Sequence, residues 1–353
     1  MTFLLENWST LEAIFIIAIL AFLLYRLLLS IRKNKAERVD IPKTVGQRIR
    51  FTLLYTMRIL GVGLGAFLLV AFFIMLERNV YSVITETMPA PSEVNIPPDL
   101  PFDVEEVKFE GGDGLMMAGW NIPSQNGATV ILLHGYGANR TVMLWHARQL
   151  VNAGYGVLLY DERASGESEG TRRSYGWEDP RDVAGAIRFI EAESGGGSEQ
   201  IGIAGCSIGA QIALQSAAYS PELKAVWADG PSTVRAQDLP PTRNPIVALI
   251  MLGNYTLDWM YEIKLDMDAP KPMIEIIGDI TPRPIMLVGG GRAQPLVGSE
   301  AEMMVTQYAR HAGANAQTYI IPEAVHCDGP THRPDEYASR MVEFFDIAFG
   351  ITR

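Results

Sequence analysis

The hydrophobic and polar positions divide the chain into an apolar N-terminal part and a longer part where short apolar runs alternate with amphipathic ones. Residues 11–29 and 59–76 are almost continuously apolar. Each run is close to the ~20 residues that a helix needs to cross a lipid bilayer. The pattern predicts that residues 1–88 form a membrane anchor of two transmembrane helices.

Positive side chains are concentrated between these two runs and only Glu37 and Asp40 oppose them; the positive set is Arg32, Lys33, Lys35, Arg38, Lys43, Arg48 and Arg50. By the positive-inside rule this loop faces the cytoplasm. No positive residue precedes the first run, which argues against a cleaved signal peptide. We therefore expect an integral protein of the plasma or inner membrane, in contact with the lipid bilayer, with its remaining part outside the cytoplasm.

Residues 89–103 are rich in proline, with Pro89, Pro91, Pro97, Pro98 and Pro101. Such a density of proline excludes a helix and is typical of a stiff, extended linker. The linker predicts a separate domain over residues 104–350.

Within residues 104–350, apolar runs rich in β-branched residues alternate with helical patterns. This alternation is typical of an α/β domain whose mostly parallel sheet is covered by helices on both faces. The predicted strands are 104–109, 115–122, 128–133, 157–160, 201–206, 225–228, 285–288 and 318–321, and the predicted helices are 141–153, 182–193, 210–218, 299–312 and 334–349.

The segment 230–283, between the sixth and seventh predicted strands, is expected to form a cap. Residues 245–260 within it are apolar on all sides but short for a membrane span. They predict a cap helix buried over a site, or alternatively an interfacial lid that touches lipid. In both cases the entrance for a substrate is apolar.

The net charge of −11 gives no indication of a nucleic-acid partner. The chain has two cysteines, Cys206 and Cys327, which excludes a disulfide-rich framework. They are interpreted either as two small, partly buried thiols or as a redox-sensitive pair. No clustered spacing of His, Cys and Asp predicts a metal, and we expect no cofactor.

The sequence Gly205-x-Ser207-x-Gly209 lies between a predicted strand and a predicted helix. A serine hydroxyl becomes an effective nucleophile when a sharp turn exposes it within reach of a base, and flanking glycines allow strand and helix to approach. The amide of Ile208 then lies at a helix N-terminus, where it can face a developing oxyanion. Ser207 is the candidate nucleophile.

Four motifs occur in order along the domain, namely His134-Gly135-Tyr136-Gly137, Asp161-x-Arg163-x-x-Gly166-x-Ser168, Gly205-x-Ser207-x-Gly209 and Val325-His326. They resemble the oxyanion loop, the D-x-R-G-x-G-x-S loop, the nucleophile elbow and the G-x-H of the α/β-hydrolase superfamily, with Ala164 where glycine is usual. Within it the chain is most similar to the membrane-anchored Bem46-like serine hydrolases. The resemblance implies an α/β-hydrolase fold and a Ser-His-acid triad.

The triad order Ser, acid, His requires a base late in the chain, and His326 directly follows the last predicted strand. His134 belongs to the oxyanion loop, where we expect its ring to brace that loop. His146 and His311 are expected to be surface or packing residues. His332 is a second loop histidine and remains an alternative base.

The acid departs from the family pattern, because Ala293 occupies its usual place after the seventh strand. Glu300 and Glu302 are the next carboxylates, and either can orient a histidine if the loop brings it within reach. Glu302 also matches a helix capping box with Ser299. Asp229, just past the sixth strand, is an alternative acid, and a chain without a functional acid is a further possibility.

These features predict a membrane-anchored serine hydrolase that cleaves small acyl-ester or lipid-like substrates through an acyl-enzyme. The oxyanion hole is assigned to the amides of Tyr136 and Ile208. Two alternatives stay open: a serine peptidase or amidase on the same fold, and a non-catalytic membrane-tethered interaction protein.

Overall fold

A computed structural model describes residues 44–85, 94–97, 102–194, 200–242, 245–292 and 300–352. The chain forms two compact units. The first contains the chain up to Val80 together with Met260–Met267, and the second contains Tyr81–Trp259 together with Asp268–Arg353. The glycines at 195–197, the residues of the predicted span 11–29 and most of the proline-rich linker lie outside the described residues.

Helix α1 runs from Val45 to Thr85 without a break. Its segment Val45–Met75 is long and apolar enough to cross a membrane by length and composition, and contains the predicted span 59–76. The expected two-helix hairpin is thus described only for its second member. Arg48 and Arg50, expected in a loop, lie on this helix, because residues 45–85 hold no proline and apolar positions recur before residue 59, as at Phe51 and Leu53.

The second unit is organised around an eight-stranded sheet in the part of the chain that is described. The strands run over β1 Glu105–Glu110, β2 Met116–Ile122, β3 Ala128–Leu133, β4 Gly156–Tyr160, β5 Gln200–Cys206, β6 Leu223–Asp229, β7 Ile285–Gly290 and β8 Ala316–Ile321. Each coincides with a predicted strand, with ends that differ by at most two residues.

The spatial order of the strands is β1-β2-β4-β3-β5-β6-β7-β8. Strand β2 is antiparallel to β1 and to β4, and the strands from β4 to β8 are parallel. This confirms the predicted mostly parallel sheet. Because carboxyl ends of parallel strands meet at one edge, the loops after β3, β4, β5, β6 and β8 converge there.

Helices connect the strands as the alternating pattern predicts. They run over α2 Leu144–Asn152, α3 Pro180–Glu193, α4 Ile208–Tyr219, α5 Pro245–Leu265, α6 Met273–Ile276, α7 Glu300–Ala312, α8 Gly329–His332 and α9 Pro334–Phe349. The helix predicted from residue 141 starts instead with a 3₁₀ turn, where the Asn139 side chain accepts a hydrogen bond from the Thr141 amide.

The predicted cap segment contains α5 and α6. Helix α5 continues to Leu265, five residues beyond the predicted end. Its placement over the site stays a prediction.

Hydrophobic cores cover both faces of the sheet. Ile131 and Leu133 of β3 pack in one core with residues of α3 and α4, whereas Val130 and Leu132 pack in the other with residues of α2 and α9. A strand buried on both faces has no polar side to show, which explains why β3 is a continuous apolar run in sequence.

Candidate active site

Ser207 occupies a sharp turn between β5 and α4. Its φ of 59° and ψ of −120° are strained for a residue with a side chain. A Cβ atom added to Gly205 would lie 2.3 Å from the Gly209 carbonyl oxygen, and one added to Gly209 would lie 2.5 Å from the His134 carbonyl oxygen. Both glycines are therefore required for the turn that exposes the Ser207 hydroxyl.

His326 lies on the loop that follows β8, and its Nε2 is 2.8 Å from Ser207 Oγ. A Cβ atom added to Gly230 would lie 2.9 Å from His326 Nδ1, so glycine at the end of β6 lets the backbone approach the ring closely. With the hydrogen on Nδ1, Nε2 can accept the proton of the serine hydroxyl. The structure thus brings together two side chains that are 119 residues apart in sequence.

A disulfide joins Cys206 to Cys327, with 6.0 Å between the two Cα atoms. The two residues directly precede Ser207 and directly follow His326. The expectation of two free thiols is therefore wrong for this structure. The disulfide ties the turn that carries the serine to the loop that carries the histidine.

His134 is fully buried after β3 and links two loops at the edge of the sheet. The Glu162 amide donates to His134 Nε2 at 3.0 Å, and His134 Nδ1 lies 2.8 Å from the Gly135 carbonyl oxygen. An amide donor at Nε2 requires the hydrogen to be on Nδ1. Burial lowers the pKa of this imidazole, which keeps it neutral.

The oxyanion loop lies beside the serine. A Cβ atom added to Gly135 would be in contact with Ser207 Cβ at 3.4 Å, and Gly137 has a positive φ of 74°. The Tyr136 side chain is exposed. Ile208, the first residue of α4, directly follows the nucleophile.

The loop after β4 is held by two buried arginines. Arg140 pairs with Asp161, and Arg163 forms a two-pronged ion pair with Asp182, with distances of 2.8 and 2.9 Å. Ala164 has a φ of 54°, a left-handed conformation that favours glycine. The departure from the family glycine at this position is therefore a point of backbone strain.

Asp229 is buried at the end of β6, and its carboxylate accepts a hydrogen bond from the Tyr337 hydroxyl at 2.9 Å. Tyr337 in turn accepts one from Trp227 Nε1 at 2.8 Å. Burial raises the pKa of Asp229 to about 6. The role of Asp229 as the alternative acid stays a prediction.

Glu300 and Glu302 lie in the first turn of α7, but their side chains are outside the described part of the structure. The same is true of Ser299, so the proposed capping box is not described. The choice between the two glutamates stays a prediction.

The remaining histidines have other surroundings. Burial lowers the pKa of His146 to about 4, and its ring packs against Trp145 and Tyr337. His311 Nδ1 lies 2.9 Å from the Gln307 carbonyl oxygen. His332 Nε2 lies 2.8 Å from an Asp328 carboxylate oxygen, in the short helix α8.

Within the described residues, no group of three or more His, Cys, Asp or Glu side chains is placed to hold a metal ion. A small cavity adjoins the oxyanion loop and is lined in part by Glu162 and Arg173. Sequence reasoning did not select these two residues. The sequence did contain an indication of them, because charged side chains recur between Asp161 and Asp182, in the segment that follows β4 at the carboxyl edge of the sheet.

Comparison with known proteins agrees with this fold. Residues 124–270 match the family described as "Serine aminopeptidase, S33". The uncharacterized protein YfhR of Escherichia coli is 25% identical over 257 residues, which are 69% of this chain and 81% of that protein. The thiohydrolase aneE of Aspergillus aculeatus is 31% identical over 127 residues, which are 34% of this chain and 39% of that protein.

Solved structures show the same architecture. The esterase Pf2001 of Pyrococcus furiosus superposes with a TM-score of 0.57 at 26% identity, covering 73% of this chain and 98% of that one. The fold, the order of the strands and these similarities establish that the chain is a hydrolase of the α/β-hydrolase superfamily.

Proposed function

We propose that this protein is a membrane-anchored serine hydrolase that cleaves acyl esters, with Ser207 as nucleophile and His326 as general base. The observation that carries the proposal is the 2.8 Å contact between His326 Nε2 and Ser207 Oγ at a strained strand-to-helix turn. A base within hydrogen-bond reach of an exposed hydroxyl is the arrangement that activates a serine.

The reaction follows from these positions. His326 takes the Ser207 proton as Oγ attacks the acyl carbonyl. The backbone amides of Ile208 and Tyr136 stabilise the oxyanion, by about 3–4 kcal/mol per donor. The imidazolium then returns the proton to the leaving alcohol. Water, activated by the same ring, hydrolyses the acyl-enzyme and frees the carboxylic acid.

The acid of the triad is proposed to be Glu300 or Glu302. Asp229 is the weaker candidate, because its buried carboxylate accepts a hydrogen bond from the Tyr337 hydroxyl.

Ester substrates are favoured over peptides by the names of two relatives, an esterase and a thiohydrolase. The family match to serine aminopeptidases keeps a peptidase or amidase as the second candidate. The apolar helix α1 supports a membrane anchor. The disulfide supports an oxidising, extracytoplasmic location, because thiols are kept reduced in most cytosolic compartments.

The test is hydrolysis of p-nitrophenyl esters of increasing acyl length by the detergent-solubilised full chain. We expect wild-type activity, loss in Ser207→Ala and a strong decrease in either Glu300→Gln or Glu302→Gln. Asp229→Asn is the matched carboxylate control. If wild type hydrolyses no ester but cleaves amides faster than Ser207→Ala does, the peptidase proposal replaces this one. If wild type cleaves neither esters nor amides, the non-catalytic interaction protein is favoured.

A further inference from the structure

A small cavity begins at the residues proposed for the oxyanion hole. Its volume is about 260 Å³ including the space open to solvent, and its lining includes Tyr136, Gly137 and Ile208. Ile208 directly follows Ser207, so the cavity adjoins the turn that carries the nucleophile. Glu162 and Arg173 supply polar groups to the same cavity.

Arg173 is a buried cation with unused hydrogen-bond donors. Its side chain is only 7% exposed, and its Nε and Nη2 atoms are buried without a hydrogen-bond partner. The guanidinium lies over the Tyr136 ring, 5.0 Å from the centroid. Buried donors of a charged group destabilise a fold unless something satisfies them, which points to an acceptor that is not part of the chain.

The carboxylates around the cavity are bonded to other groups. Asp182 and Glu178 pair with Arg163, and Asp179 accepts hydrogen bonds from Ser174 and from the Gly176 amide. None of the ion pairs described here involves Arg173.

Glu162 forms no hydrogen bond with Nε or Nη2 of Arg173, and its own Oε1 is buried without a partner. Burial, together with the charges of Asp179 and Asp182, raises the pKa of Glu162 well above its ordinary value, while the charge of Arg173 opposes that rise. The charged side chains that line the cavity are Arg163, Arg173, Glu162 and Asp179.

We propose that Arg173 forms a subsite for a carboxylate group of the substrate, held beside the acyl group that Ser207 attacks. The planar fork of guanidinium donors matches the two oxygens of a carboxylate. A substrate ammonium group has no lone pair to accept hydrogen bonds from these donors, so the subsite selects a carboxylate over an ammonium group.

This inference deepens the proposed ester hydrolysis and rests on it. The test compares three p-nitrophenyl esters on the full chain in detergent: mono-p-nitrophenyl adipate, its methyl ester, and p-nitrophenyl 6-aminohexanoate. We expect kcat/KM for the acidic ester to exceed that for the methyl ester at least tenfold, with the ammonium ester the poorest substrate. Arg173→Gln is expected to decrease the ratio of acidic to neutral kcat/KM at least tenfold, mainly through KM, and Arg173→Lys to decrease it less.

Arg172→Gln is the matched control, because Arg172 is exposed and bonds Glu178 rather than lining the cavity. A structural role of Arg173 would lower both esters equally and leave the ratio unchanged. Absence of a preference in wild type, an unchanged ratio in Arg173→Gln, or a preference for the ammonium ester overturns the subsite.

A binding measurement separates this proposal from the proposed function. Calorimetric titration of Ser207→Ala with monomethyl adipate, and with dimethyl adipate as the neutral reference, requires no turnover. Selective binding of the acid that weakens at least tenfold with Arg173→Gln supports the subsite even if wild type hydrolyses no ester. Ester hydrolysis that depends on Ser207, without selective binding of the acid, overturns the subsite and leaves the esterase in place.

Discussion

Cys206 and Cys327 form a disulfide that covalently links the residue before Ser207 to the residue after His326. The contact between nucleophile and base is thus supported by a bond that spans 121 residues of sequence. Positioning of two reacting groups to within a fraction of an ångström is a major part of enzymatic rate enhancement.

We expect reduction of this disulfide to decrease both activity and stability. Reduction with TCEP, or the double change Cys206→Ser and Cys327→Ser, frees the His326 loop and decreases kcat by about tenfold, since small misplacements of reacting groups are costly. The free energy of unfolding decreases by about 2–4 kcal/mol, as is usual for disulfides that close long loops. Ester kinetics and urea unfolding with and without TCEP measure the two effects, and the double mutant must not respond to TCEP.

Gly230→Ala is expected to displace the catalytic imidazole. The added Cβ atom would lie 2.9 Å from His326 Nδ1 and Cε1, which is closer than real Cβ atoms approach. We expect kcat to fall about a hundredfold, in line with an ångström-scale misplacement. Gly350→Ala is the control, because Gly350 also has a positive φ but an added Cβ meets nothing within 4 Å. A kcat for Gly230→Ala equal to that of the control contradicts this geometry.

Ala164→Gly is expected to stabilise the fold. Ala164 has a φ of 54°, and this left-handed conformation destabilises an L-residue by about 1–2 kcal/mol. Glycine avoids that cost but loses more conformational entropy on folding, which offsets part of the gain. The net increase in the free energy of unfolding is about 0.5–1 kcal/mol. Ala309→Gly is the control, because Ala309 lies in the regular helix α7 and the same substitution there is expected to decrease the free energy of unfolding by about 1 kcal/mol. Chemical denaturation of the three proteins tests both signs.

Asp229 is expected to make stability depend on pH. Its folded-state pKa of about 6 exceeds its ordinary value, so the folded chain binds the proton more tightly than the unfolded chain. The free energy of unfolding therefore decreases as pH rises from about 4 to about 6, by up to about 3 kcal/mol. Asp229→Asn removes this slope, whereas Asp335→Asn, at an exposed position, leaves it in place. An equal slope in wild type and Asp229→Asn contradicts the assignment.

The hydrophobic pattern predicted the sheet because its parallel strands are buried on both faces, as Val130 and Ile131 of β3 illustrate. The motifs also selected Ser207 and His326, which the structure brings into contact. The sequence showed alanine at position 164 where the family has glycine, and the structure shows that this residue has a left-handed backbone conformation, which glycine adopts more easily.

Relationships between distant elements were not predictable from local patterns. The Cys206–Cys327 bond and the Tyr337–Asp229 hydrogen bond depend on how loops from different strands meet. Arg173 carries no motif, and its significance arises only from burial and unpaired donors. The predicted membrane span 59–76 covers only part of helix α1, because apolar positions also recur between residue 59 and Val45.

The central claim is that His326 activates Ser207, and labelling by a fluorophosphonate probe tests it most directly. The full chain in detergent is compared with Ser207→Ala, His326→Ala and His332→Ala, and the labelled peptide is identified by mass spectrometry. We expect label on Ser207 in wild type and His332→Ala, none in Ser207→Ala, and a rate at least a hundredfold lower in His326→Ala. Wild-type labelling that persists in Ser207→Ala, or that is lost in His332→Ala but not in His326→Ala, contradicts the account.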